Sequence, residues 1–124
     1  MNAPKHFEIT KTHAVYRPAG EVPLPQAVKM MTSAISFARE QNIRNLLVIT
    51  SALTGFEAPS LAARYFFVKE WAKASNGTVR IAMVARPEMI DPQKFGVTVA
   101  ANSGLTGDVF TSEAEALAWL QGGG

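Results

Sequence analysis

The sequence contains no cysteine and only two histidines among its 124 residues. The first absence excludes disulfides, thiolate metal sites and cysteine nucleophiles. The second leaves His6 and His13, both near the N-terminus, as the sole imidazoles for acid–base chemistry or metal ligation. Neither lies at ligand spacing from another histidine or a carboxylate, so no metal and no cofactor is expected. Charge is scarce too: 18% of residues are charged, against about a quarter in ordinary domains. Twelve basic residues exceed ten acidic ones by only two. That excess accounts for the sequence pI of about 9.2 and is too small for the basic surface of a nucleic-acid-binding module. No apolar run approaches the roughly 18 residues a membrane span needs. Met1 to His6 lacks the apolar segment of a secretory leader, so the cytoplasm is the expected compartment.

Motifs are missing as well. There is no Gly-x-x-x-x-Gly-Lys-Ser/Thr for a phosphate loop and no Gly-x-Gly-x-x-Gly after the first strand for a dinucleotide, where only Gly20 stands. The end of the central strand holds Thr50 and Ser51 where a receiver domain needs aspartate. With no base–nucleophile pair, no catalytic residue is assigned and an enzyme is not expected.

Hydrophobic residues make up 48% of the chain and aromatics 9%, the composition of a folded globule rather than a disordered segment. The length suits one domain, over residues 1–121, with Gly122-Gly123-Gly124 read as a flexible tail. Phe7 to Thr10 and Ala14 to Arg17 read as paired strands. Pro23 and Pro25 open a helix to about Gln41, with Leu24, Val28, Met31, Ile35 and Ala38 on one stripe. The unbroken run Asn45 to Thr50 suits a strand covered on both faces. A loop over Ser51–Ala58 leads to a second helix from Pro59 to Ser75, striped by Leu61, Tyr65, Val68 and Ala72, widened by Phe67 and Trp71, and stopped by Asn76-Gly77. Val79 to Ala85 is the next strand. Asp91-Pro92 reads as the start of a third helix ending at Asn102-Ser103-Gly104. Asp108 to Thr111 is a short strand, and Ser112 with Glu115 has capping-box spacing before a last helix. The alternation predicts an α/β domain: a mostly parallel sheet of four to five strands with an antiparallel edge and about four helices.

Two clusters are candidate sites. Thr50, Ser51, Thr54, Glu57 and Ser60 fall between the carboxyl end of the central strand and the second helix, and Arg86 ends the following strand on the same edge, where α/β sheets bind ligands. Helix N-termini favour anions, so an anion or phosphate site is one reading; capping of the helix and of loop backbone by the same hydroxyls is the other. Phe66 falls on a helical wheel among Ala62, Lys69, Glu70 and Lys73, away from the stripe. With Met30 and Phe37 on the first helix it forms either a surface for a partner or second copy, or an isolated surface aromatic beside a wide core stripe.

The segments Leu46 to Phe56, Pro59-Ser60-Leu61, Val84-Ala85-Arg86-Pro87, Ile90-Asp91-Pro92 and Val109 to Leu120 together resemble the SpoIIAA-like group of STAS-fold proteins. The resemblance spans roughly residues 14–120. It implies a small α/β domain with helices mainly on one sheet face, acting by binding a kinase-like protein partner and switched by phosphorylation of a serine in Asp-Ser-Ser-Gly. The matching residues here are Glu57-Ala58-Pro59-Ser60, which lack both serines and put a serine where the family has glycine. The group is also similar to lipid-binding domains of the CRAL-TRIO kind. The expected function is therefore a non-enzymatic regulatory or binding module of the STAS type, working through protein contacts without the usual serine switch. The alternative is a carrier or sensor of a small apolar or anionic ligand. Its partner is an unidentified protein, a small molecule or a second copy in a homodimer. A cavity lined by Phe, Met and Trp would favour the ligand reading; a tightly packed sheet–helix interface would favour protein contacts.

Overall fold

The computed structural model describes residues 3–122. Strands β1 (Phe7–Ile9) and β2 (Ala14–Tyr16) form the antiparallel hairpin. Its turn uses hydroxyl chemistry in place of Asn-Gly: Thr10 Oγ1 accepts from the His13 N–H at 3.1 Å, and His13 Nδ1 lies 2.8 Å from Thr12 Oγ1. The chain continues through β3 (Gly20–Glu21), α1 (Leu24–Glu40), β4 (Asn45–Ile49), β5 (Leu53–Thr54) and α2 (Leu61–Ser75). It ends with β6 (Arg80–Val84), a 3-10 turn (Pro87–Met89), α3 (Phe95–Asn102), β7 (Gly107–Phe110) and α4 (Glu113–Gln121). No helix among the described residues is long and apolar enough to cross a membrane.

The main sheet has the order β1-β2-β4-β6-β7, parallel throughout except at β1. From β2 onward the order never reverses. Right-handed crossovers along a sheet that grows in one direction place every crossover helix on the same face. Accordingly, Ala14, Leu46, Val48 and Ile81 form one core with Met31, Ile35, Val68, Trp71 and Val99 from α1, α2 and α3. Only α4, which connects no two strands, takes the back face, where Ala116 and Leu120 cover Val15, Leu47, Ile49, Ala82 and Val84. Burial on both faces is why β4 reads as a continuous apolar run.

Local chemistry sets the helix ends. Pro25 lies in the first turn of α1, where a missing N–H costs nothing. Ser60 Oγ accepts from the Ala63 N–H at 3.1 Å to cap α2, and Asn76, left-handed at φ 49°, closes it. Ser112 Oγ accepts from the Glu115 N–H at 3.2 Å at the start of α4. Arg17 and Glu113 form a two-pronged ion pair at 2.9 and 3.0 Å between the end of β2 and the same helix start.

Four local expectations need correction. The segment Ser51–Ala58 is not all loop, because β5 pairs in parallel with β3 as a small second sheet; a two-residue ladder to a distant strand leaves no periodicity to read. Helix α3 starts at Phe95 rather than at Pro92: residues 91–94 make a turn, Lys94 is left-handed at φ 52°, and the Asp91 carboxylate accepts from the Phe95 N–H at 2.8 Å. On α2, Leu61 and Tyr65 are exposed and the buried face is Val68, Trp71, Ala72 and Ser75. Apolar residues run nearly all the way round this helix, so spacing alone does not choose its inner side. Finally, Gly122 is the C-cap of α4, its N–H donating to Ala118 O at 2.9 Å; Gly123 and Gly124 lie outside the described residues.

Candidate functional site

A sheet order that never reverses has no switch point, so the crevice where doubly wound sheets bind ligands is not formed. An apolar cavity lies elsewhere, between the sheet's front face and the three helices on it. Its volume is about 140 Å³ and it is partly open to solvent. Helix α1 contributes Leu24, Ala27, Val28 and Met31; α2 contributes Arg64, Phe67, Val68 and Trp71; α3 contributes Gly96, Val97 and Ala100. The floor is Ile81, Met83, Gly107 and Val109, and the rim is Leu53, Phe56 and Pro59 on one side and Met89 and Ile90 on the other. Ala27, Gly96, Ala100 and Gly107 are the small residues among those lining it, and small side chains on facing elements fill less of the space between layers than large ones do.

Aromatic and backbone contacts hold the walls. Phe67 and Trp71 pack with ring centroids 4.6 Å apart. Trp71 Nε1 donates to Val28 O at 3.3 Å, joining α2 to α1 and leaving the indole face against apolar neighbours. The rim depends on Gly55, at φ +101°: a Cβ there would lie 2.6 Å from Val22 O and 2.8 Å from Val22 N. Only glycine lets the β5 loop lie so close to the end of β3.

The polar side chains at the cavity are few. Thr50 Oγ1 donates to Val84 O at 2.8 Å. Arg64 donates from Nε to Pro59 O and from Nη2 to Met89 O, each at 3.1 Å. Arg86 Nη2 donates to Leu53 O at 3.3 Å. Lys94 Nζ donates to Asp108 Oδ1 at 2.8 Å. The two arginines thus tie opposite sides of the rim through backbone carbonyls.

The first candidate cluster separates. Thr50 and Arg86 line the cavity, but Ser51, Thr54, Glu57 and Ser60 do not. Ser51, Glu57 and Ser60 are exposed, and the Ser60 hydroxyl serves as the α2 cap. Thr54 is exposed on β5, its Oγ1 3.5 Å from Gly20 O. The second cluster separates as well. Phe66 is 71% exposed, whereas Phe37 is buried and packs edge-on to Phe7 with centroids 5.1 Å apart. Met30 is half-buried against the front core. The β1 hairpin covers that flank of α1, which the helical wheel could not show. The exposed apolar side chains of α2 are Leu61, Tyr65 and Phe66, with Tyr65 and Phe66 edge-on at 5.4 Å.

Sequence reasoning missed Arg64, Phe67, Trp71, Met31 and Met83 as a set. One signal was available: on the α2 wheel, Arg64 falls between Val68 and Trp71, a cation inside an apolar face. Among the described residues, no group of three or more His, Asp or Glu gathers as a metal-binding cluster. No protein-family model matches the chain, and no curated protein matches it.

Proposed function

We propose that this chain is a small-ligand-binding module, a STAS-type domain of the SpoIIAA-like kind that acts by binding rather than by reacting. The carrying observation is the apolar cavity of about 140 Å³ inside an otherwise packed front core, walled by Phe67, Trp71, Met31 and Met83. A cavity bordered by large apolar side chains binds apolar molecules well because water gains few partners there. The test is a benzene titration followed by NMR of the side-chain methyls of Met, Ala and Leu. Met31 and Met83 shift with saturation, while the back-face methyls of Ala116 and Leu120 do not. Ala100→Leu, which puts a larger side chain into the space, abolishes the shifts without unfolding the chain. Absence of any saturable shift in the unsubstituted protein refutes the reading.

The second reading is contact with a protein, and one observation favours it: the solvent-facing group Leu61, Tyr65 and Phe66 on α2.

A further inference from the structure

The charges around the cavity are unevenly partnered, and from this we infer that its ligand carries a single carboxylate, received by Arg86, on an apolar body about the size of a benzene ring. The inference rests on the cavity being a ligand site and adds the chemistry of the ligand.

Five charged side chains line the cavity: Arg64, Arg86, Lys94, Asp91 and Asp108. Both carboxylates are already engaged. Asp108 accepts from Lys94 Nζ at 2.8 Å and from the Val109 N–H at 2.7 Å, and Asp91 accepts from the Phe95 N–H at 2.8 Å. Lys94 is matched by Asp108. The two arginines are not matched, since their hydrogen-bond acceptors are neutral carbonyls: Pro59 O and Met89 O for Arg64, Leu53 O for Arg86. A guanidinium has five N–H donors, of which Arg64 uses two and Arg86 one.

Arg86 is the sharper case. Its Nε is buried and finds no hydrogen-bond acceptor among the described residues. The nearest carboxylate oxygen, Glu88 Oε2, is 3.8 Å away; the Arg86 side chain as a whole is 36% exposed and that of Glu88 67%. That distance is too long for a hydrogen bond, and the pair is weakened by solvent. A buried cationic N–H without an acceptor is costly to the folded protein, and a planar two-oxygen anion is the group that best satisfies a guanidinium. The apolar part of the ligand is bounded by volume. About 140 Å³ is close to the roughly 150 Å³ of an engineered apolar cavity in another protein that accepts benzene. A ring or a short branched chain fits within that volume.

The test compares benzoate, its neutral near-isostere benzamide, and benzene, each titrated calorimetrically into the full chain at neutral pH. Benzoate binds about tenfold or more tightly than benzamide, the gain expected of charge-assisted hydrogen bonds. Arg86→Gln removes most of that gain and leaves benzene affinity unchanged, whereas Glu88→Gln, which removes a weak competitor, tightens benzoate about twofold. If Arg86→Gln does not fold, the benzoate-to-benzamide ratio of the unsubstituted protein decides by itself. Equal affinity for benzoate and benzamide, with benzene still binding, overturns the carboxylate inference and leaves the cavity reading standing; so does an Arg86→Gln protein that melts lower but keeps the full ratio, which would make Arg86 a rim tie only. Failure of all three to bind overturns both.

Discussion

Replacing Gly55 with alanine should cost about 3 kcal/mol, and the figure follows from three contributions. At φ +101° the backbone is in a region that L residues adopt only with strain, of order 1 kcal/mol. The added Cβ would lie 2.6 Å from Val22 O and 2.8 Å from Val22 N. Both are backbone atoms that cannot rotate aside as a side chain would. Relief requires the β5 loop to move off β3, which breaks the Val22 N–H to Thr54 O bond at 2.8 Å and the Gly20 N–H to Ala52 O bond at 3.1 Å, at about 1 kcal/mol each. For a chain of this size about 3 kcal/mol corresponds to a melting-temperature drop of roughly 12 °C, read by far-UV circular dichroism. It is well within the roughly 5–15 kcal/mol that holds such a domain together, so the variant still folds. The internal control is Gly20→Ala on the partner strand. Its φ is +121°, but a Cβ there meets nothing within 4 Å, so only the strain of about 1 kcal/mol applies. Equal melting temperatures for the two variants would show that the close approach at Val22 does not govern the rim. Since Leu53 and Phe56 flank Gly55 and line the cavity, Gly55→Ala should also weaken benzene binding, while Gly20→Ala should weaken it less.

Three further outcomes are expected. Ser75 is fully buried, its Oγ donating to Val79 O at 2.9 Å and accepting from the Val79 N–H at 3.1 Å; Ser75→Ala leaves both backbone groups unpaired and costs about 1–3 kcal/mol in urea unfolding, and a loss of a few tenths would contradict this account. The hydrogen bond from Arg17, aided by its charge, holds the Glu113 carboxyl below its ordinary value. A lowered folded-state value means the contribution is present above the ordinary carboxylate range and fades as pH falls through the lowered one. Glu113→Gln therefore costs well under about 1 kcal/mol at neutral pH, because both partners are about half exposed, and the difference from the unsubstituted protein closes in acid; a difference that widens on acidification would contradict the pairing. Phe66→Glu leaves the melting temperature nearly unchanged, since the ring is 71% exposed, and lowers any concentration-dependent self-association in sedimentation velocity; identical sedimentation across concentrations for both proteins removes the α2 surface as a contact between copies.

The candidate sites were less legible than the elements, and the reason is the range of the interactions. Ser60, Ser112 and Asn76 act on residues within four positions of themselves, so their roles can be read from local spacing. The rim tie from Arg64 to Met89 spans 25 residues, and that from Arg86 to Leu53 spans 33. Nothing in a window around Arg64 marks its partner. Phe37 shows the same limit: its wheel position suggested a surface, and the distant Phe7 buries it.

The alternation of strands and helices, the parallel sheet with its antiparallel edge, and the strand that both layers cover were legible in the amino-acid order alone. Each of these depends on periodicity, on turn chemistry or on the chirality of crossovers, which act along short stretches of chain. The inward side of α2, the placement of α4 alone on the back of the sheet, and the cavity lined from α1, α2, α3 and the sheet arise from the docking of the layers. A gap between elements belongs to no single element: it is the difference between the volume that the packed layers enclose and the volume that their side chains fill, and that difference arises only once they are docked.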